Sequence, residues 1–514
     1  MYKLLLCLRY LKTRYIALAS IVSVMLGVAT MIVVNSVMAG FSREMQDRIH
    51  GILSDVVLEV RSLEGAPDAE GHMARIRRVA GESIAGMTPT VVVPAMLTFR
   101  YGSNTITQQV ELIGIDEATQ TEVSDFGRYL QHPENRRRMS FQLREGDYDV
   151  QDHQAGPEAP ERPQMRKAGW EHRRNLTKIC SFEEAWEVRS DDRRAADQPD
   201  PADVPPDPFL GKTPRQADAF DPAVQQRTGL VIGIVLASIR SRNGEDRFLV
   251  LPGDDVKLTF PTVGMLGPKV EIASDLFTVV DLYECKMSEY DARFVFAPIR
   301  ALQEARGMVD RQSGVANFNA IQIKLKPGVD LNEVRDKLRS DEAFPSHLYV
   351  VQTWRDKQGP LLAAVQMETA ILNILLFLII AVSGFGILAI FFMIVVEKTR
   401  DIGILKALGA SGAGIMGIFL GYGLSLGMVG SGVGLLGGLL FVRHINGIAG
   451  LLGTLTGRPV FDPAIYYFYK IPTLVDPWTV AWIVLGAVTI AVLASILPAL
   501  RAALLHPVEA LRYE

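Results

Sequence analysis

The sequence predicts a membrane protein: four transmembrane helices, with a large extracytoplasmic α+β domain inserted between the first and the second. Two observations carry this. Four stretches, residues 15–41, 369–396, 412–442 and 477–500, hold no charge and are each long enough to cross a bilayer, which takes about 20 apolar residues. Between the first and second of them, residues 42–365 carry short β-branched runs and amphipathic stretches, the pattern of a mixed domain. The 48% hydrophobic content and mean hydropathy of +0.17 are high for a soluble chain. A net charge of −4 argues against a nucleic-acid protein, and three cysteines are too few for a disulfide framework.

Residues 1–14 set Lys3, Arg9, Lys12 and Arg14 among leucines, which suits a short amphipathic helix on a membrane surface. The following span is too long for a signal-peptide core and no good cleavage site follows, so an anchor is favoured. Cations before it place the N-terminus in the cytoplasm. Four spans return the C-terminus, residues 501–514, to the same side, with Arg501, His506 and Arg512 in agreement. Residues 42–365 and the loop 443–476 then lie outside.

Within the outer domain a helical continuation covers Ser42 to Leu53. Strands are expected at Val56–Val60, Val91–Val93, Val110–Ile113, Leu230–Ile234, Val256–Phe260, Phe277–Tyr283, Phe294–Phe296 and Ala320–Leu325, and helices around Met73–Val79, Ile299–Arg306 and Leu331–Leu338. Val235–Arg240 has a helical reading. Residues 131–227 are rich in Pro, Asp, Glu and Arg and poor in β-branched residues, which predicts a partly disordered insertion with a short helix at Ser181–Arg189. The insertion splits the domain, so two subdomains are expected. Cys180 and Cys285 would both lie in the outer domain; two free thiols are preferred over a pair.

No phosphate-binding loop, zinc-protease motif or nucleophile elbow occurs, and the eight histidines are scattered. The sequence gives no positive case for an enzyme, a bound cofactor or a metal. The third span carries Gly417/Gly421, Gly423/Gly427, Gly430/Gly434 and Gly434/Gly438 at four-residue spacing, which allows close helix packing within the subunit or across a dimer. No ionisable residue stands well inside a span, which favours an apolar or lipidic cargo, or force transmission without a pore.

Four patches carry a resemblance: Ser36–Phe41; Trp354–Gly359 with Ala364, Met367 and Glu368; Glu397–Leu405 with Leu408–Ala410; and Pro498–Ala503 with Pro507–Glu514. Through them the chain resembles the LolC/LolE permeases of lipoprotein-releasing ABC transporters, within the wider group that includes MacB and FtsX. The resemblance covers most of the chain except the insertion. It implies a cytoplasmic-membrane subunit that binds no nucleotide itself and works with a separate ATPase holding ATP and Mg. It also implies a second permease copy or a paralogue, membrane lipid, a lipoprotein substrate and a lipoprotein carrier beyond the membrane. Two other readings stand beside it: a signalling module that activates an extracytoplasmic hydrolase, as in FtsX, and an exporter like MacB.

Under that resemblance residues 397–411 are the turn that couples to the ATPase. Asp401 is expected to cap a short helix and Gly409 to end it in a left-handed conformation. Ile402, Leu405 and Leu408 would fill an apolar groove of the partner, while Lys398, Arg400 and Lys406 meet an acidic rim; Glu397 opens the same coupling segment. The loop 261–270, with Pro261, Met265, Leu266 and Pro268, stands where the family has a protruding hook that grips a carrier; it reads equally as a plain hairpin.

Overall fold

The computed structural model describes residues 15–62, 64–102, 104–154, 160–179, 220–240, 246–262, 271–310, 312–341, 348–456 and 470–506. In chain order its main elements are α1 (Tyr15–Ile52), β1 (Val56–Val60), α2 (Ala69–Ala80), β2 (Ile84–Tyr101), β3 (Asn104–Ile115), α3 (Pro133–Arg137), β4 (Thr228–Gly233), β5 (Ser238–Arg240), β6 (Asp246–Phe248), β7 (Asp255–Thr262), β8 (Glu271–Tyr283) and β9 (Phe294–Pro298). Then follow α4 (Ile299–Ala305), β10 (Ala320–Leu325), α5 (Leu331–Ser340), β11 (Tyr349–Thr353), α6 (Trp354–Lys357), α7 (Gly359–Glu397), α8 (Thr399–Ala407), α9 (Gly412–Thr456) and α10 (Pro477–Leu504). The chain divides into a helical unit, residues up to 46 with 359–456 and 470–506, and a sheet unit, residues 47–358.

In the helical unit α1, α7, α9 and α10 are each long and apolar enough to cross a membrane. Their shared core includes Val28, Ile32, Ile387, Phe391, Phe419, Leu426, Ala491 and Ala499. At 1.5 Å per residue the 45 residues of α9 exceed a hydrocarbon layer of about 30 Å. The uncharged run ends at Val442, which predicts a loop over 443–476; the helix instead continues to Thr456. Arg443 and His444 mark where apolar composition stops, and a polar residue at that point does not stop a helix. Asp476 starts α10, accepting from the Trp478 and Thr479 N–H groups, with Pro477 in the first turn.

The sheet unit is built around β2, whose 18 residues serve two structures. Its first half pairs with β10, which leads to β1 and β11, all antiparallel. Helices α2 and α5 close this sheet over Val56, Leu58, Ile76, Ile321, Ile323, Val334 and Leu338. The second half of β2 pairs with β3 and with β7, so the order β2-β3-β9-β4-β8-β7 returns to β2 as a six-stranded barrel. Leu97, Phe99, Leu112, Leu230, Leu258, Phe260, Phe277 and Val295 fill it. The inward residues alternate with exposed ones along β7, as a half-buried strand requires.

The insertion departs most from expectation. Its described residues, 131–154, 160–179 and 220–227, pack on the barrel, and Tyr148, Met165 and Ala168 join the barrel core. Polar composition misleads here because the charges are paired. Arg162, 2% exposed, donates to Glu284 and to Asp246, both at 2.8 Å. Arg173 holds Asp255 at 2.7 Å and Arg136 pairs with Asp149. Buried charges are tolerated where partners and further hydrogen bonds meet them. Asn135, at the head of the Arg136–Arg138 run, is itself fully buried. The helix expected at Ser181–Arg189, like Cys180 and residues 1–14 and 507–514, lies outside the described residues. Cys285 is buried, and burial pushes its thiol up. Val235–Arg240 splits into a helical turn, Ile234–Ala237, and strand β5, and β11 is a strand the sequence reading did not name.

Candidate functional site

The segment between α7 and α9 is a short helix, α8, set between two tight connections. The first is the single residue Lys398, with φ −97° and ψ 10°. Thr399 and Ile402 stay hydrogen-bonded to the preceding helix and to Lys398, so α8 turns off α7 with little slack. The second is the left-handed Gly409, φ 94°. Here the Gly409 N–H donates to Lys406 O and the Ala410 N–H to Leu405 O, each at 3.0 Å, the Schellman arrangement. Ser411 then accepts from the Gly414 N–H at 3.1 Å to start α9.

Asp401 does not cap α8. It lies inside the first turn, where the helix dipole favours an acid, and accepts from Lys398 Nζ at 2.6 Å. Ile402 does not face outward either. It is 4% exposed and belongs to the core of the helical unit, with Ile394, Val395, Ile415 and Ala502. The outward apolar residues of α8 and its end are Ile404, Leu405 and Leu408, the last 80% exposed. At i, i+1 and i+4 they form one face. Ile404 was missed because periodicity marks a stripe but not which stripe of a nine-residue helix meets its own protein.

Lys406 is not part of an outward cationic rim. Its Nζ donates to the Ala503 and Leu505 carbonyls, both at 2.6 Å, and so satisfies the free carbonyl end of α10. Glu397, Arg400 and Asp401 remain exposed beside the apolar face. The arrangement is a small knob, joined rigidly to α7, α9 and α10 at one end of the helical unit.

The glycines of α9 do two jobs. A Cβ at Gly427 would meet Ala491 Cβ at 3.0 Å and one at Gly423 would meet Ser495, both on α10. One turn further, a Cβ at Gly430 would meet Val24 Cβ at 2.9 Å, at Gly434 Met25 O at 2.7 Å, and at Gly438 Ala29 Cα at 3.2 Å, all on α1. The close approach is thus within the chain, first to α10 and then to α1. Gly417 is exposed and Gly421 half-buried.

At the opposite end of the helical unit from α8, a cavity of about 420 Å³ lies among α1, α7 and α10. Ile32, Met38, Val365 and Ile483 give it apolar walls, Asn35, Ser36, Gln366, Thr369, Asn373 and Thr479 add uncharged polar groups, and Asp476 adds one carboxylate. In the sheet unit, β7 and β8 pair antiparallel up to Thr262↔Glu271, with Pro261 opposite Ile272. Residues 263–270 connect them, so Met265, Leu266 and Pro268 lie outside the described residues.

Residues 373–507, from α7 to the end of α10, match the family model described as FtsX-like permease C-terminal. The lipoprotein-releasing system transmembrane protein LolC of Xylella fastidiosa (strain 9a5c) is 31% identical over 238 residues, 46% of this chain and 55% of that protein. LolC of Neisseria meningitidis serogroup B is 28% identical, over 58% of this chain and 68% of that protein. LolE of Haemophilus influenzae is 30% identical over 33% of this chain and 40% of that protein. The chain spans about half the length of the first of these relatives. It is a multi-pass membrane protein that carries an FtsX-like permease domain, and it is a relative of the LolC and LolE transmembrane proteins of lipoprotein-releasing systems.

Proposed function

We propose that this chain is the permease subunit of an ABC transporter that uses ATP hydrolysed on a separate chain to release lipoproteins from the cytoplasmic membrane. Its N- and C-termini and α8 face the cytoplasm, and the sheet unit stands on the far side. ATP and Mg belong to the partner, which docks on α8. A second copy or a paralogue completes the permease. Movement of α8 is passed by α7, α9 and α10 to the outer domain, which hands the lipoprotein to a carrier; residues 261–270 are the candidate carrier hook. The cavity among α1, α7 and α10 offers apolar walls to acyl chains, and polar groups that include the Asp476 carboxylate to the head of a lipidated chain.

The observation that carries this reading is the outward face Ile404, Leu405 and Leu408 on a helix fixed to the span ends, in a chain whose relatives are named for lipoprotein release. An apolar helix face seats in a groove of a partner. The test is to place an acid on it. Leu405→Asp and Leu408→Asp bury a charge at the contact, which costs several kcal/mol. Retention of the ATPase through purification in mild detergent should fall about tenfold or more, equivalent to at least ~1.4 kcal/mol, with the permease inserted at normal levels. Either variant holding its ATPase as well as the native chain does would move the docking site elsewhere.

A further inference from the structure

Among the described residues the chain passes between the helical and sheet units at 46–47 and at 358–359. On the sheet side both passages meet at one residue, Asp55. The first passage ends in the last turn of α1, where the His50 Nε2 meets the Asp55 carboxylate Oδ1. The second begins at α6, where the Trp354 N–H donates to the Asp55 carbonyl at 3.1 Å. The other carboxylate oxygen of Asp55 accepts from the Leu325 N–H on β10 at 2.7 Å. The Trp354 ring lies 6.0 Å from the His50 ring. Lys357 of α6 pairs with Glu59 of β1 at 2.5 Å. Thr353 and Asp356 form a capping box at the start of α6, and Arg335 grips Asp356 at 3.0 Å.

Asp55 is 5% exposed. Burial pushes its carboxyl up, but the His50 ring, the Leu325 N–H and Lys324 outweigh this and hold it below the usual range. An ionised group in that position has both carboxylate oxygens engaged and is costly to separate from its partners. Cooperative movement needs such a fixed element, because packed structure shifts between discrete arrangements rather than stretching.

We infer that Asp55 is a positioning residue, a clamp that joins the end of α1, the start of α6 and the sheet into one body, so that motion of either passage moves the sheet unit as a whole. This rests on the proposed ATP-driven function and adds where the force is gathered.

The experiment uses the full chain with its ATPase subunit in proteoliposomes, as native protein, Asp55→Asn, His50→Ala and His50→Gln. Hydrogen exchange of residues 47–53 and 354–358 is followed with and without a non-hydrolysable ATP analogue, and lipoprotein release is counted per ATP hydrolysed. His50 stands partly exposed, so its variants report even where Asp55→Asn fails to fold. In the native chain the two segments should respond to the analogue together. In His50→Ala and Asp55→Asn the responses should part by about twofold or more and release per ATP should fall about tenfold, with hydrolysis unchanged; His50→Gln, which keeps a hydrogen bond, should restore much of both. Joint responses and native release per ATP in both disruptive variants would overturn the clamp, as would no response of either segment in the native chain. A native complex that hydrolyses ATP and responds in both segments, yet releases no lipoprotein, would sink the cargo reading alone, and the exchange data would still decide the clamp.

Discussion

Asp281 shows how much a single residue of the sheet unit depends on the insertion. Its carboxylate is fully buried on β8 and accepts from Asn135 Nδ2 and the Leu282 N–H at 2.8 Å, and from the His132 N–H at 3.3 Å. Burial pushes it up to about 7 despite these donors. The unfolded chain releases this proton near pH 3.9, so the folded state holds it to higher pH. Its contribution to stability is complete below the unfolded value and lost as pH rises through about 7. Thermal melts taken in steps from about pH 4.5 to 8 should therefore carry a falling contribution from Asp281 that levels off above about 7. Asp281→Asn should flatten part of that slope, while melting lower at pH 6.5 because an amide NH₂ replaces one acceptor among donors. Asp291, also pushed up to about 7, should keep the rest of the slope. An unchanged slope in Asp281→Asn would remove Asp281 from the account. None of this was legible in the sequence. A polar stretch with Arg162 and Asn135 looks solvated until the barrel supplies Glu284, Asp246 and Asp281 as partners, and those partners lie more than 80 residues away.

At the scale of elements, local signals were legible and the side on which they act was not. The spans stood out as uncharged runs, and β1 and β10 match their sequence bounds, because short β-branched runs carry their own signal. Val91–Val93 marked only the middle of β2, whose flanks hold Thr, Gly and Pro and form strand through pairing with β10, β3 and β7. Gly409 was readable because only a left-handed residue closes that turn cheaply. Ile402 and Lys406 were misplaced because their partners come from α9 and α10. The glycines of α9 give the clearest test at this scale. Gly434→Ala puts a Cβ 2.7 Å from Met25 O, whereas Gly437→Ala meets open space. The first should lower stability in detergent by about 1–3 kcal/mol, and the second should leave it unchanged or raise it slightly, since alanine favours the helix. Equal melting of the two would mean that α1 and α9 do not pack closely in solution.

For the whole molecule, two connected units are put to one task by the proposed function. The helical unit has an exposed apolar face at α8 and a mixed apolar and polar cavity at its other end. The sheet unit joins a barrel to a helix-covered sheet through a single long strand, β2. The closure of that barrel could not be read from the sequence, because β2 and β7 are separated by about half the sheet unit and pair over three residues. The most direct measurement reconstitutes the chain with its ATPase and paralogue in proteoliposomes that carry a lipidated protein, and follows that protein into the soluble fraction with a carrier present. ATP should release it, and omission of ATP or Leu408→Asp in α8 should leave it in the membrane. Hydrolysis of ATP by the native complex with no more release than in the absence of ATP would contradict the account.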